Sequence, residues 1–333
     1  MSLTSELGKP GSPVARRLRK RFPLLRAIQG SYREAAARVV PLLPPDGARI
    51  VYSTVGTAFD WRVRFLLDPR PDLRLALMGT ALLGRDWLEL AAKLMGALGG
   101  TLRIRPHVGG EAQPQPAMGS VAPRASGGAD PGRAATLEPE WLARACYALA
   151  LFTEVFRAGP MPGSRLGMLA PTASIDGLLA LASDDEVADL LALTEAARRN
   201  LMPAVAARGG PVHIGPTFAG SLDVGGADAD LIVGGLLIEV KVQLGDCGQD
   251  GRRRCSLEQR TMFELLGYLL LDYDDTYKID ALGVYSARWR YLATWPVDEL
   301  LGVLAGDPVD LAQERADFAA LVRAMVAPRV QAG

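Results

Sequence analysis

The period of hydrophobic and polar positions changes several times along the chain, and each change marks an element. Residues 48–53 (ARIVYS) read as a strand, and apolar residues recur at helical spacing around 58–67 and 86–97. Residues 137–157 are apolar around most of the helical circumference, which predicts a buried helix. Two more helices are expected at 175–182 and 184–207, followed by a strand-rich stretch over 211–243. Residues 256–273 predict a helix whose opening Ser256-Leu257-Glu258-Gln259 has the Ser-x-x-Gln form of a capping box. Strands at 279–286 and 291–295 come next, and helices close the chain. The order helix, strands, helix, strand predicts an α/β (α+β) fold: a central mixed sheet with flanking helices, plus a helical N-terminal region.

Composition divides this pattern. Residues 105–135 are crowded with Pro, Gly and Ala and lack apolar periodicity, so they read as a flexible linker. The expected organisation is a basic N-terminal arm and helix (1–45), a mainly helical region (46–104), the linker (105–135), a core (136–296) and C-terminal helices (297–333). Residues 14–26 carry six basic residues and no acid, which suits either the solvated face of a helix or a phosphate-contacting arm.

Lys+Arg and Asp+Glu are both 37, so bulk charge cannot hold the chain on nucleic acid, while local basic patches remain available. The opening MSLTSELGKPGSP lacks the apolar centre of a secretory signal, and no apolar run is long enough to span a bilayer. Three cysteines in 333 residues do not form a disulfide framework. A cytoplasmic protein without membrane partners is the expectation. The only histidines are His107 and His213, which leaves almost no material for zinc sites or histidine-based triads. Any catalysis falls to carboxylates and lysines.

The most informative stretch is 226–242, GADADLIVGGLLIEVKV. Two β-branched, apolar runs flank Gly234-Gly235, and Gly-Gly suits the positive φ angles of a two-residue hairpin turn. Such a turn pairs residues whose numbers sum to 469, which sets Asp230 opposite Glu239 and Asp228 opposite Lys241. One face then carries Ala229, Leu231, Val233, Leu236, Ile238, Val240 and Val242, and must be buried. The other gathers Asp228, Asp230, Glu239 and Lys241 at the end away from the turn. Carboxylates facing across a strand pair repel by roughly a few tenths to 1 kcal/mol. A hard divalent cation such as Mg²⁺ would neutralise them.

The arrangement Asp-(x8)-Glu-x-Lys on a hairpin resembles the PD-(D/E)XK superfamily of restriction-endonuclease-like nucleases, within it the RecB-like exonuclease branch. The likeness covers about half the chain, residues 137–296. The leading Pro of the motif is replaced by Ala229. A second match is Glu264-Leu265-Leu266-Gly267-Tyr268, similar to the Gln-x-x-x-Tyr signature on the helix after the lysine strand, with Glu in place of Gln. Arg260 extends the Glu264–Tyr268 stripe. The family also draws a carboxylate from the helix ahead of the sheet; Glu154 fits that place, the alternative being a surface pair with Arg157.

The resemblance implies a restriction-endonuclease-like core and metal-dependent hydrolysis of phosphodiester bonds, most naturally of DNA in repair or phage defence. Asp230 and Glu239, with Glu154 and the carbonyl of Val240, would hold Mg²⁺ or Mn²⁺; Asp228 is an alternative ligand to Asp230. Lys241 would position water or offset charge, and Glu264 and Tyr268 would complete the catalytic group. Arg252, Arg253 and Arg254 form a basic cluster near that site, and Arg260 and Arg288 are further candidates for contact with nucleic acid. An iron–sulfur cluster, found in some relatives of this branch, is not expected, because four ligating cysteines are lacking. The N-terminal region is a candidate surface for a protein partner. The competing expectations are a nuclease-fold module that binds without catalysis, and an unrelated α/β scaffolding protein with an accidental motif.

Overall fold

The structure, a computed structural model, describes residues 2–99, 137–160, 163–170 and 174–330, with side chains to 325. The expected linker at 105–135 lies outside the described residues. The described residues divide into two compact units: one holds those up to Pro41 and from Pro203 onward, the other those from Leu42 to Met202. The expected core of 136–296 is therefore split, and the first forty residues join its sheet-containing part.

The first unit begins with helices α1 (Leu3–Leu7), α2 (Pro13–Arg21) and α3 (Leu25–Ala36). The basic run at 14–26 is not a free arm. Val14, Leu18, Phe22 and Leu25 repeat at helical spacing and are buried in the hydrophobic core. Arg17 pairs with Glu314 at 2.7 Å, and Arg21 pairs with Glu314 and with Asp307, the latter at 2.7 Å.

The second unit is helical: α4 (Tyr52–Leu67), α5 (Arg74–Ala81), α6 (Arg85–Ala97), α7 (Pro139–Ala158), α8 (Ile175–Leu179) and most of α9 (Asp184–Arg208). The strand expected at 48–53 is not formed, because Tyr52 and Ser53 already belong to α4. Buried Trp61 donates its Nε1–H to Thr153 Oγ1 at 3.1 Å, tying α4 to α7. At Gly79, α5 meets the carbonyl of Phe152 so closely that a Cβ would stand 1.8 Å from that oxygen. The buried Glu186 is held by Arg165 at 2.5 and 2.9 Å and by the Ser183 hydroxyl at 2.9 Å.

Back in the first unit, β1 (Val212–Ile214), β2 (Leu231–Val233) and β3 (Leu236–Lys241) form an antiparallel meander. The ribbon β4 (Asp246–Cys247) and β5 (Arg253–Arg254) leads to α10 (Gln259–Leu271), which carries the chain to β6 (Ala281–Ser286), parallel to β3. An antiparallel β7 (Tyr291–Pro296) completes a five-stranded mixed sheet of order β1-β2-β3-β6-β7. Helices α11 (Val297–Ala305) and α12 (Leu311–Val330) follow.

The hairpin register is the expected one: Leu231 faces Ile238, Ile232 faces Leu237 and Val233 faces Leu236. Gly234 and Gly235 take φ of 50° and 85°, the left-handed pair such a turn requires. Both faces of the hairpin are buried. Leu231, Val233, Leu236 and Ile238 fill one; Ile232 and Leu237 fill the other, in the same core as the apolar residues of α10.

Every residue of α10 from Thr261 to Leu271 is buried. The capping box does not form: the helix starts at Gln259 with Glu258 as N-cap and no side-chain cap bond. At its other end, Arg315 of α12 donates to the Leu269 carbonyl at 3.1 Å, satisfying a terminal acceptor. No helix among the described residues is long and apolar enough to cross a membrane.

Candidate active site

Beyond Leu231 the hairpin ladder stops. The backbone of Asp228–Asp230 turns to residues 215–217: Thr217 bridges Asp228, and the Gly215 N–H donates to the Asp230 carbonyl at 3.0 Å. The direct strand pairs Asp230–Glu239 and Asp228–Lys241, expected from the register, are therefore not formed. Instead, the Asp230 side chain accepts the Val240 N–H at 2.7 Å. This bond satisfies a backbone donor near the end of β3 and holds the carboxylate against that strand.

Glu239 and Lys241 lie two residues apart on β3 and share a face. Lys241 Nζ donates to Glu239 Oε1 at 2.8 Å and to Glu264 Oε2 at 2.9 Å. Arg260 of α10 holds the other Glu264 oxygen at 3.3 Å, and donates to the Thr4 carbonyl of α1 at 3.0 Å. Glu239 and Glu264 are only 6% and 4% exposed. Two carboxylates buried this deeply need a cation between them, and Lys241 supplies it.

The electrostatics follow. Burial pushes the Glu239 carboxyl above its ordinary range, with Lys241 opposing and the charges of Glu264 and Asp228 reinforcing. Burial alone would lower the Lys241 ammonium, but Glu239, Glu264 and Asp230 outweigh it and hold the lysine protonated. Tyr268, buried and stacked on Phe218 with centroids 5.6 Å apart, is raised by burial and then by Glu239, Glu264, Asp230 and Asp228. Asp228, Asp230, Glu239, Lys241, Glu264 and Tyr268 thus share one electrostatic neighbourhood.

Glu154 lies on α7 in the second unit. Burial lifts its carboxyl, against a hydrogen bond from Thr54 and the charges of Arg157 and Arg165. Arg252 is exposed on the turn of the ribbon, and Arg253 and Arg254 on β5; Arg254 pairs with Asp250 at 3.2 Å. Arg288 departs from expectation. Residues 287–289 form a 3-10 turn between β6 and β7, and Arg288 is 0% exposed, donating to the Val242 carbonyl at 2.9 Å. It fixes the exit of β3 and has no surface to offer a phosphate.

The kind of atom this group presents suits a metal. Its donors are hard oxygens, and Glu239 Oε2 is buried without a hydrogen-bond partner, a coordination position left over. Among the described residues, however, no three His, Cys, Asp or Glu side chains converge as a ready ligand set.

Sequence reasoning missed a crevice of about 270 Å³, open mouth included, beside Lys241. Its lining includes Tyr32, Lys241, Cys255, Leu257, Thr261 and Ser286. The Tyr32 and Ser286 hydroxyls are 2.5 Å apart, and Ser286 is the β6 register partner of Lys241. The apolar spacing of α3 marks Tyr32 as inward-facing, but nothing in the linear order links it to Lys241.

Comparison of the chain with known protein families, with curated proteins and with solved structures returns no match.

Proposed function

We propose that the first unit has a restriction-endonuclease-like core of the RecB-like kind and that the protein is a metal-dependent nuclease hydrolysing phosphodiester bonds of DNA. The observation that carries this reading is the group at the end of β3. Glu239 and Lys241 point to one side of the strand, Asp230 is held at the neighbouring amide, and Glu264 reaches Lys241 from α10. Asp230 and Glu239, with the Val240 carbonyl, would hold Mg²⁺ or Mn²⁺. When bound, such an ion lowers the pKa of its water and draws charge from the scissile phosphate.

The chain's own residues do the positioning. Glu264 anchors the Lys241 ammonium independently of Glu239, so the lysine stays in place when Glu239 turns its oxygens elsewhere. A lysine held protonated offsets negative charge that builds on the phosphate as the bond breaks. Arg260 fixes Glu264, and the Asp230–Val240 bond keeps the end of β3 rigid. The role of Glu264 is thus to orient a cation, for which Glu serves as well as the Gln of the resembled signature. A setting in repair or phage defence rests on the resemblance alone.

A second reading, a nuclease-fold module that binds without cutting, is favoured by one observation: Lys241 is already bound to both Glu239 and Glu264. Incubation of the full chain with linear, circular and single-stranded DNA, with Mg²⁺, Mn²⁺ or EDTA, separates the two. Chelator-sensitive degradation supports the enzyme. Retention of DNA without cleavage under every condition supports the module.

A further inference from the structure

We infer that the exposed side of α3 next to the Lys241 crevice, marked by Arg26 and Arg33, binds the phosphate backbone of a DNA strand at the crevice mouth. The inference rests on the nuclease reading and assigns it a surface outside the stretch that carries the family resemblance.

Helix α3 is tied to the crevice from two sides. Tyr32 forms part of the wall with Lys241, and Gln29 donates its side-chain N–H to the Leu257 carbonyl at 2.9 Å. Arg26 and Arg33 lie three residues before and four residues after Gln29, so all three fall on one side of the helix. Both arginines are exposed, and neither side chain forms a hydrogen bond or ion pair among the described residues. Just upstream of the crevice residues Cys255 and Leu257, the ribbon adds exposed Arg252, while Arg253 donates to the Gly245 carbonyl at 3.3 Å and Arg254 pairs with Asp250 at 3.2 Å. The α3 arginines thus flank a helix that forms part of the crevice wall.

Part of the charge of the neighbouring helix is engaged elsewhere, and position on α3 singles out the rest. From Pro13 to Ala36 the chain holds seven basic residues and one acid, Glu34. Arg17 and Arg21 are committed to Glu314 and Asp307, and Arg19 donates to the Pro10 carbonyl at 3.0 Å. That leaves Arg16, Lys20, Arg26 and Arg33. Only the last two sit on the Gln29 side of α3, and Glu34, one residue on from Arg33, turns away from it. Two unpaired guanidiniums about two turns apart, some 10 Å along the axis, suit successive phosphates of a strand.

The test measures equilibrium binding of fluorescent linear DNA by the full-length protein in EDTA, across a series of KCl concentrations. The double variant Arg26→Ala/Arg33→Ala is compared with Arg16→Ala/Lys20→Ala, an equal loss of charge on α2. Loss of two phosphate contacts is expected to reduce the slope of log affinity against log salt by about 1.8 and to weaken binding about tenfold or more. The α2 variant should stay within about twofold of wild type. Equal weakening by both doubles, or no change in the α3 double, overturns the assignment of this surface while leaving the nuclease reading standing. If the wild-type chain neither binds nor cleaves DNA at low salt, with or without Mg²⁺, the nuclease reading fails and takes this surface with it.

Discussion

Lys241 donates to Glu264 across 2.9 Å, joining the end of β3 to the middle of a helix buried from Thr261 onward. With Glu239 on its other side, the lysine is the shared counter-charge of two buried carboxylates. Lys241→Met should cost about 3 kcal/mol or more, since it strands both. Adding Glu264→Gln should recover at least about 1 kcal/mol of that loss, because one of the stranded charges is removed. Urea unfolding of the two single variants and the double measures the coupling; additive losses would show that the carboxylates do not depend on the lysine.

Gly267 sits where α1 crosses α10: a Cβ there would stand 2.8 Å from a Leu3 methyl. Alanine in a helix interior is intrinsically better than glycine by about 1 kcal/mol, but overpacking costs about 1–3 kcal/mol. Gly267→Ala should therefore lower the melting temperature in the wild-type background and raise it when Leu3 is also changed to Ala. The same sign in both backgrounds would remove Leu3 as the cause.

In the second unit, burial alone would lift the Glu186 carboxyl, yet Arg165 and Ser183 outweigh it and hold it below its ordinary range. A depressed folded-state pKa stabilises above the unfolded value, near 4.5, and that contribution is lost as pH falls through the folded value. Wild type should therefore lose stability relative to Glu186→Gln as pH drops from about 5 to 3. At pH 7 the variant should be less stable by about 3 kcal/mol. Parallel stability curves over that range would contradict the pairing.

The three cysteines differ in reactivity for physical reasons. Burial pushes the Cys146 thiol up to about 12, and it raises Cys255 against hydrogen bonds to Ser286 and Tyr32, whereas Cys247 is exposed. Titration of the native protein with a chromogenic disulfide should give one fast thiol, abolished by Cys247→Ser, with the other two appearing only in denaturant. Two fast thiols would mean that the Tyr32–Cys255–Ser286 contact opens readily.

Local rules made parts of this structure legible in advance. Two glycines with positive φ gave away the turn and with it the three hairpin pairs, because a two-residue turn leaves one register. The same arithmetic failed one residue further, at Asp230, where the backbone turns to residue 215 and the side chain takes an amide. Long-range partners were invisible: Arg17 and Arg21 looked free until Glu314, almost three hundred residues away, supplied their counter-charge. Arg288 shows the same limit: a candidate for contact with nucleic acid, it is buried in a 3-10 turn. Ser256 satisfied a capping motif that lost to the path of the chain, which lines the crevice before the helix begins.

The most direct test of the proposed chemistry is the single-turnover rate of cleavage of end-labelled linear DNA by the full chain in Mg²⁺ or Mn²⁺, beside Asp230→Asn and Glu239→Gln at a temperature where all three remain folded. The account expects cleavage that EDTA abolishes and that falls at least about 100-fold in each variant. Cleavage at the wild-type rate by Glu239→Gln, or intact DNA after prolonged incubation of the wild type with either metal, would contradict it.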